Sequence, residues 1–213
     1  MAGSHFRAIA RPRSAALAVL VLLAFGVGLA SLRYLSGDPG VAPPAIQASF
    51  IANGWIFLSH ALASAVALML GALQLLSRSR RWGWHRWGGR VYVAACVAGG
   101  LSALWIAPDV ESGWVATVGF SALAVAWIGA TVLGWRHAVG GRFDLHRRWM
   151  LRSYALTGAA ITLRLQLVVF SAFGLDYGDV SAVLGFSCWL PNLVLVEAYL
   201  ARRRRVRAGP VEA

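Results

Sequence analysis

The amino-acid sequence predicts an all-α integral membrane protein, a polytopic bundle of six transmembrane helices with both termini in the cytoplasm. Three observations support this prediction: a very apolar composition, six apolar stretches of membrane-spanning length, and arginine residues confined to alternate loops. Of the 213 residues, 59% are hydrophobic and 13% are charged, and the mean hydropathy is +0.65. A soluble domain is about half apolar and about one quarter charged, so the composition excludes a water-soluble protein.

The six apolar stretches predict six helices because a helix needs about 20 residues to cross the hydrocarbon core of a bilayer. Inside that core each segment must satisfy its own backbone hydrogen bonds, which favours the helix. A basic segment, 1–14, precedes the first span and a basic tail, 201–213, follows the last. The predicted spans lie near residues 15–35, 51–76, 87–107, 114–135, 150–173 and 180–200.

The first span also has features of a cleavable signal peptide. A basic start precedes its apolar run, and Gly28-Leu29-Ala30 is compatible with a cleavage site. Its apolar run is long, however, and its removal would leave five spans with their charge bias intact. We therefore favour an uncleaved first helix.

The charged residues predict the orientation. All 20 basic residues are arginine, the formal net charge is +12, and 18 of the arginines lie on one predicted side of the membrane. The other side holds most of the acidic residues in its loops, with Arg33 as the nearby arginine. The positive-inside rule places the arginine side in the cytoplasm and predicts a protein of the inner, cytoplasmic membrane. We expect these arginines to attract anionic lipid headgroups and not to bind nucleic acid.

Three polar residues in the predicted spans are candidates for a cavity within the membrane. His60 and Arg164 lie at about the same depth, 13–15 Å below the outer ends of their spans, and Gln166 is near Arg164 in sequence. A guanidinium stays charged in proteins, so a buried Arg164 needs an oxygen-rich partner. The partner is either a small-molecule ligand in a cavity or a cluster of carbonyl oxygens with a purely structural role.

A second group of ionisable residues is predicted at the cytoplasmic face. Glu197 lies one turn inside the end of the sixth span, where Arg90, Arg152, His85 and His146 are also expected. A structural ion pair is the simpler interpretation of this cluster. Proton exchange between Glu197 and a histidine is the alternative.

His85 and His146 begin the third and fifth spans in the same way, which raises the possibility of a cofactor. Two imidazoles can hold one b-type haem, and together with Glu197 the same pair could bind a metal ion. His60 is about 24 Å from the inner face and cannot share that haem. The remaining interpretation is that both histidines form hydrogen bonds to loops and lipid phosphates.

Several short motifs occur in order between about residues 50 and 200. They are His60 with Gly71 and Gln74; His85-Arg86 with Gly89, Arg90 and Tyr92; His146 with Trp149, Met150, Arg152 and Ser153; Leu163-Arg164; and Trp189, Asn192 and Glu197. In these motifs the chain resembles the predicted bacterial membrane proteins called domain-of-unknown-function family 2306. The resemblance implies an integral membrane fold and implies no particular substrate, cofactor or reaction.

The sequence contains no P-loop, HExxH motif or dinucleotide-binding fingerprint. Three hypotheses of function therefore remain. The first is a binding or transport-type bundle with a polar cavity, the second is an electron-transfer protein with one haem at the cytoplasmic side, and the third is an accessory or scaffold protein.

Overall fold

The computed structural model describes residues 12–42, 44–76, 83–109 and 113–208, and in this part of the chain it is all-helical, with 91% helix and no strand. Segment 1–11, Arg78, Arg80, Arg81, Glu111 and residues 209–213 lie outside the described residues. Short 3-10 helices occur at Ser31–Ser36, Pro39–Val41 and Ala107–Asp109. The α-helices are α1 (Pro12–Ala30), α2 (Pro44–Ala52), α3 (Gly54–Leu75), α4 (Trp84–Ile106), α5 (Gly113–Val139), α6 (Phe143–Thr157), α7 (Ala159–Ala172), α8 (Tyr177–Ser187) and α9 (Leu190–Ala208).

Among the residues that the structure describes, six helical segments are long and apolar enough to cross a membrane, and this confirms the predicted number. Each overlaps one predicted span, and many large apolar side chains on them face outward, as lipid-facing residues do. Val168 and Leu195, for example, are each 70% exposed. The segments are Ala15–Ser36, Gly54–Leu75, Trp84–Ile106, Gly113–Val139, Phe143–Ala172 and Tyr177–Val206.

Short connections join the last five spans, so consecutive spans run in opposite directions. The start of α4, the α5–α6 connection and the end of α9 share one end of the bundle, with Arg86, Arg90, Arg142, Arg147 and Arg148 among its residues. We call it the arginine-rich end. The other end, which we call the opposite end, includes Ser31–Ser36, α2 and the α7–α8 connection.

The fifth and sixth spans differ from the sequence prediction in length and continuity. The fifth begins at Phe143 and not near 150, because α6 extends into the arginine-rich end, where exposed charged side chains are tolerated. Both spans contain a local irregularity of the helix, which we call an interruption, at Gly158 between α6 and α7 and at Cys188–Trp189 between α8 and α9. Gly158 and Cys188 keep right-handed helical backbone angles, so each span still crosses as one continuous segment.

Asn192 on α9 satisfies backbone groups at the first interruption. Its Nδ2 lies 2.9 Å from the hydroxyl of Thr162 and 3.3 Å from each of the carbonyl oxygens of Ala155 and Cys188, so its two hydrogens serve these three acceptors. A break within a membrane span frees backbone acceptors that lipid cannot satisfy, so a side chain from a neighbouring helix must bond to them. Asn192 therefore makes the interruption at Gly158 compatible with a membrane interior.

Small residues bring the helices close together. A Cβ atom added to Gly119 on α5 would lie 2.7 Å from the carbonyl carbon and oxygen of Gly185 on α8. A Cβ added to Gly71 on α3 would overlap the rings of Tyr154 and Tyr92. In lipid, close packing of this kind drives helix association in place of the hydrophobic effect.

An aromatic cap covers part of the opposite end. Tyr34, Phe50 and Phe57 form it, with centroid distances of 5.3 Å between Tyr34 and Phe57 and 4.8 Å between Phe50 and Phe57. All three rings are buried. They join the Ser31–Ser36 turn and α2 to the first turn of α3.

Candidate functional site

Arg164 lies in the middle of α7, about 12 Å from its end, and its guanidinium points toward α1. Nη1 donates to the carbonyl oxygen of Ala160 at 2.9 Å, and Nη2 donates to the hydroxyl of Ser31 at 3.2 Å. Both of these oxygens are neutral. In the described part of the chain no carboxylate forms an ion pair with Arg164.

His60 lies about 9 Å from the start of α3, and its Nδ1 is 2.9 Å from the carbonyl oxygen of Gly99 on α4. A carbonyl oxygen can only accept, so Nδ1 carries the hydrogen and the ring is in the tautomer that leaves Nε2 as an acceptor. This bond fixes the ring between α3 and α4.

The structure places His60 and Arg164 within electrostatic range of each other, and Tyr34 of the aromatic cap lies within the same range of Arg164. The hydroxyl of Tyr34 in turn accepts a hydrogen bond from Arg33 at 3.1 Å. An imidazole and a guanidinium therefore influence each other electrostatically near the aromatic cap.

Gln166 does not join them. Its Nε2 donates to the carbonyl oxygen of Ser187 at 3.3 Å, and its Oε1 accepts from the Ser187 hydroxyl at 3.1 Å. Residues two apart on a helix point about 200° apart, so Gln166 faces α8 while Arg164 faces α1. Gln166 thus joins two helices on the far side of α7.

Ser64 belongs to the His60 region, although the sequence analysis did not single it out. It lies one turn after His60 on the same face of α3, and its Oγ is 3.1 Å from the position of a Cβ on Gly99. This buried hydroxyl has no hydrogen-bond partner among the residues that the structure describes. Its spacing of four residues from His60 is the sequence feature that could have predicted its place on the same helix face.

At the arginine-rich end, Arg152 on α6 pairs with Glu197 on α9. Nε is 2.5 Å from Oε1 and Nη2 is 2.9 Å from Oε2, so the contact is bidentate. The exposed fraction is 17% for the Arg152 side chain and 47% for that of Glu197. Arg90 lies elsewhere, with its guanidinium 5.0 Å above the ring of Trp87.

His146 is oriented in the same way as His60. Its Nδ1 is 2.9 Å from the carbonyl oxygen of Gly134 on α5, so Nε2 is again left as an acceptor. The backbone carbonyl oxygen of His85 accepts from Gln74 at 3.4 Å. Among the described residues no three His, Cys, Asp or Glu side chains are arranged to hold a metal ion. Haem or metal binding by His85 and His146 stays a prediction.

A buried hydroxyl network connects α4, α5 and α6, and the sequence analysis missed it. Thr157 links the indole of Trp127, at 2.8 Å, to the hydroxyl of Tyr92, at 2.9 Å. The hydroxyl of Ser153 lies 2.7 Å from those of both Tyr92 and Thr131. The donors and acceptors satisfy one another, so this network serves packing and is not open to a ligand.

The comparisons with known proteins identify one family. The sequence model of the family described as "Predicted membrane protein (DUF2306)" matches residues 57–200. That range includes His60, Arg164, His146 and the Arg152–Glu197 pair. No curated protein and no solved structure matches the chain.

Proposed function

The chain belongs to the DUF2306 family of predicted membrane proteins, and from this premise we propose that it is a binding or transport-type bundle for an anionic small molecule. The ligand carries a carboxylate or phosphate group. It binds between the opposite end and the centre of the bundle, where Arg164 meets its charge and His60 and Ser64 contact its remaining polar atoms.

The state of Arg164 is the observation that supports this proposal. Placing an arginine deep in a membrane helix costs about 3 kcal/mol on insertion scales, and such residues are usually paired. A guanidinium has five N–H donors in a planar fork that matches carboxylate and phosphate oxygens. The bonds to Ala160 and Ser31 use neutral acceptors, which leave the charge without a counter-ion from the described chain.

Two neighbouring groups add to this support. Nε2 of His60 is an acceptor in the neutral tautomer that the bond to Gly99 requires, and it becomes a donor when the ring is protonated, so it suits an acidic ligand. The Ser64 hydroxyl is buried without a partner among the described residues, and an unsatisfied buried polar group in a native protein calls for a ligand or water.

The experiment measures thermal unfolding of the purified full-length protein in detergent with three probes: hexanoate, hexyl phosphate and uncharged hexanol. We expect an anionic probe to raise the midpoint and hexanol to leave it unchanged. The Arg164→Gln variant should lose this stabilisation, whereas Arg33→Gln, an exposed arginine at the same end, should keep it. Arg164→Lys retains the charge and should bind more weakly than wild type, because a lysine lacks the planar fork.

Equal responses of the Arg33 and Arg164 variants, or no response to either anion in wild type, would contradict the proposal. An Arg164→Gln protein that remains folded and unaltered in every response would favour the scaffold hypothesis.

We further propose that both termini are cytoplasmic and that the protein resides in the bacterial inner membrane. The excess of arginine at one end of the bundle supports this orientation through the positive-inside rule. Alkaline phosphatase and green fluorescent protein fused after the C-terminus report the compartment: we expect fluorescence and no phosphatase activity. Phosphatase activity of the fusion would instead place the C-terminus outside the cytoplasm and contradict this orientation.

Electron transfer by a single b-type haem is the second candidate function. The tautomer of His146 favours it, because a ligating histidine commonly donates its other ring N–H to a backbone carbonyl and leaves Nε2 for the iron. The purified protein should then show a Soret band that His146→Gln removes. A colourless preparation after expression with added haem would eliminate this candidate.

A further inference from the structure

A pocket lies between α6 and α9 at the arginine-rich end, far along the bundle from Arg164. Residues of one face of each helix line it, at spacings of three and four residues that place them in a stripe. The lining consists of Asp144, Arg147, Arg148 and Leu151 from α6, and Tyr199, Leu200, Arg203 and Arg204 from α9.

The charge of this pocket is strongly unbalanced. Among the described residues, four guanidinium groups and one carboxylate, that of Asp144, line it. One arginine, Arg203, is additionally placed 5.2 Å above the ring of Tyr199, which holds its side chain toward the pocket. Guanidinium groups bind phosphate oxygens in bidentate pairs, so the pocket is complementary to a phosphate group.

The other lining residues indicate what carries that phosphate. Leu151 on α6 and Leu200 on α9 lie farther from the arginine-rich end than the pocket arginines on the same helices. The pocket thus runs from charged to apolar along the two helices, in the order in which a phospholipid presents its headgroup and its acyl chains. A free phosphate ion would use only the charged half.

The Arg152–Glu197 ion pair joins the two helices that line the pocket. Glu197 lies about one turn before Leu200 on α9, and Arg152 follows Leu151 on α6. The bidentate contact therefore bridges α6 and α9 next to the apolar part of the pocket.

We propose that this pocket binds the phosphate group of an anionic phospholipid of the surrounding bilayer, with the half-buried Leu151 in contact with an acyl chain and the buried Leu200 closing the inner end of the pocket. The site is independent of the ligand assigned above to Arg164. It differs from the general attraction of basic loops to the membrane surface because it depends on particular arginines and not on their number.

The test measures binding of dioleoyl phosphatidylglycerol to the purified full-length protein by native mass spectrometry, with dioleoyl phosphatidylcholine for comparison. The Arg148→Gln/Arg204→Gln variant should bind the anionic lipid about tenfold more weakly or worse, given the strength of charge-assisted hydrogen bonds. The Arg202→Gln/Arg205→Gln variant is the matched control. It removes the same total charge from α9 residues outside the pocket lining and should change the affinity by less than about twofold, because neither of these two side chains can reach a phosphate group held in the pocket.

A third variant is expected to gain affinity, a result that loss of folding cannot produce. Asp144→Asn removes the opposing carboxylate and should strengthen binding of the anionic lipid severalfold. Equal weakening by the two double arginine variants would overturn the proposal in favour of diffuse surface charge. Displacement of the lipid by inorganic phosphate at the same concentration as the lipid would overturn it as well, because the acyl chain would then add nothing to binding. Unchanged binding in Asp144→Asn and in Arg148→Gln/Arg204→Gln would also overturn it.

Discussion

The hydroxyl of Tyr92 on α4 lies 2.7 Å from that of Ser153 on α6, and both side chains are almost completely buried. Through Ser153 and Thr157 the Tyr92 hydroxyl connects α4 and α6 with α5 at the centre of the bundle. In a membrane interior every such group needs a partner from the protein itself. The hydroxyl network is therefore a specific link among three helices that general apolar packing would not supply.

Removal of one hydroxyl should weaken this link without abolishing the fold. We expect Tyr92→Phe to lower the free energy of unfolding by about 0.5–1.5 kcal/mol, because the remaining hydroxyls of Ser153 and Thr157 still have other partners. Equilibrium unfolding in mixed detergent micelles measures the effect. Tyr199→Phe, at a surface position, should be close to neutral. No difference between the two variants would argue against a stabilising role of the network.

The contact between α5 and α8 depends on the absence of a side chain at Gly119. Gly119→Ala should destabilise the bundle by about 1–3 kcal/mol, because the new methyl group meets the backbone of Gly185, which cannot rotate away. Gly129→Ala on the same helix has nothing within 4 Å of the new Cβ and should be neutral or slightly stabilising. Thermal midpoints of the two purified variants provide the comparison, and equal midpoints would contradict the close-contact explanation.

The interruption at Gly158 depends on Asn192. Asn192→Leu keeps a side chain of similar size but removes the donor to the Ala155 carbonyl and the partner of Thr162. We expect a loss of about 1–3 kcal/mol in unfolding free energy, the cost of leaving buried polar groups unsatisfied. Val194→Leu, at an exposed position on the same helix, is the control and should be neutral. A neutral Asn192→Leu would show that another group satisfies the break.

The Arg152–Glu197 pair should contribute modestly. A double-mutant cycle with Arg152→Gln and Glu197→Gln should give a coupling free energy of about 0.5–1 kcal/mol, since Glu197 is 47% exposed and water screens the pair. The coupling should decrease as salt is added. A coupling that is zero at low salt would mean that the bidentate contact does not persist in solution.

Hydropathy was sufficient to predict the six spans because the bilayer imposes its length requirement on each segment separately. The interruptions in the fifth and sixth spans were not predicted. Glycine is common in membrane helices, so Gly158 alone does not predict an irregular helix. The bond from Asn192 to the carbonyl oxygen of Ala155 marks the irregularity, and Asn192 lies on another helix. That information depends on how α6 and α9 pack together.

For the candidate sites, too, the sequence predicted the depth of a residue along its span but not the direction in which its side chain points. Depth along the spans placed His60 and Arg164 at one level, and they lie near each other. Gln166 was grouped with Arg164 by its position in the sequence, yet the helical rotation between them directs it to α8. For Glu197, depth gave four possible partners, and the selection of Arg152 depends on how α6 and α9 are rotated toward each other.

The Gly119–Gly185 contact also limits which amino-acid substitutions such a chain can accept in evolution. Large residues such as Val168 and Leu195 face lipid, where any apolar side chain of roughly equal bulk serves as well. Where two helices touch at a glycine, a single added carbon atom forces them apart. Evolutionary constraint should therefore fall most heavily on the least bulky positions, the reverse of the pattern expected for a water-soluble core.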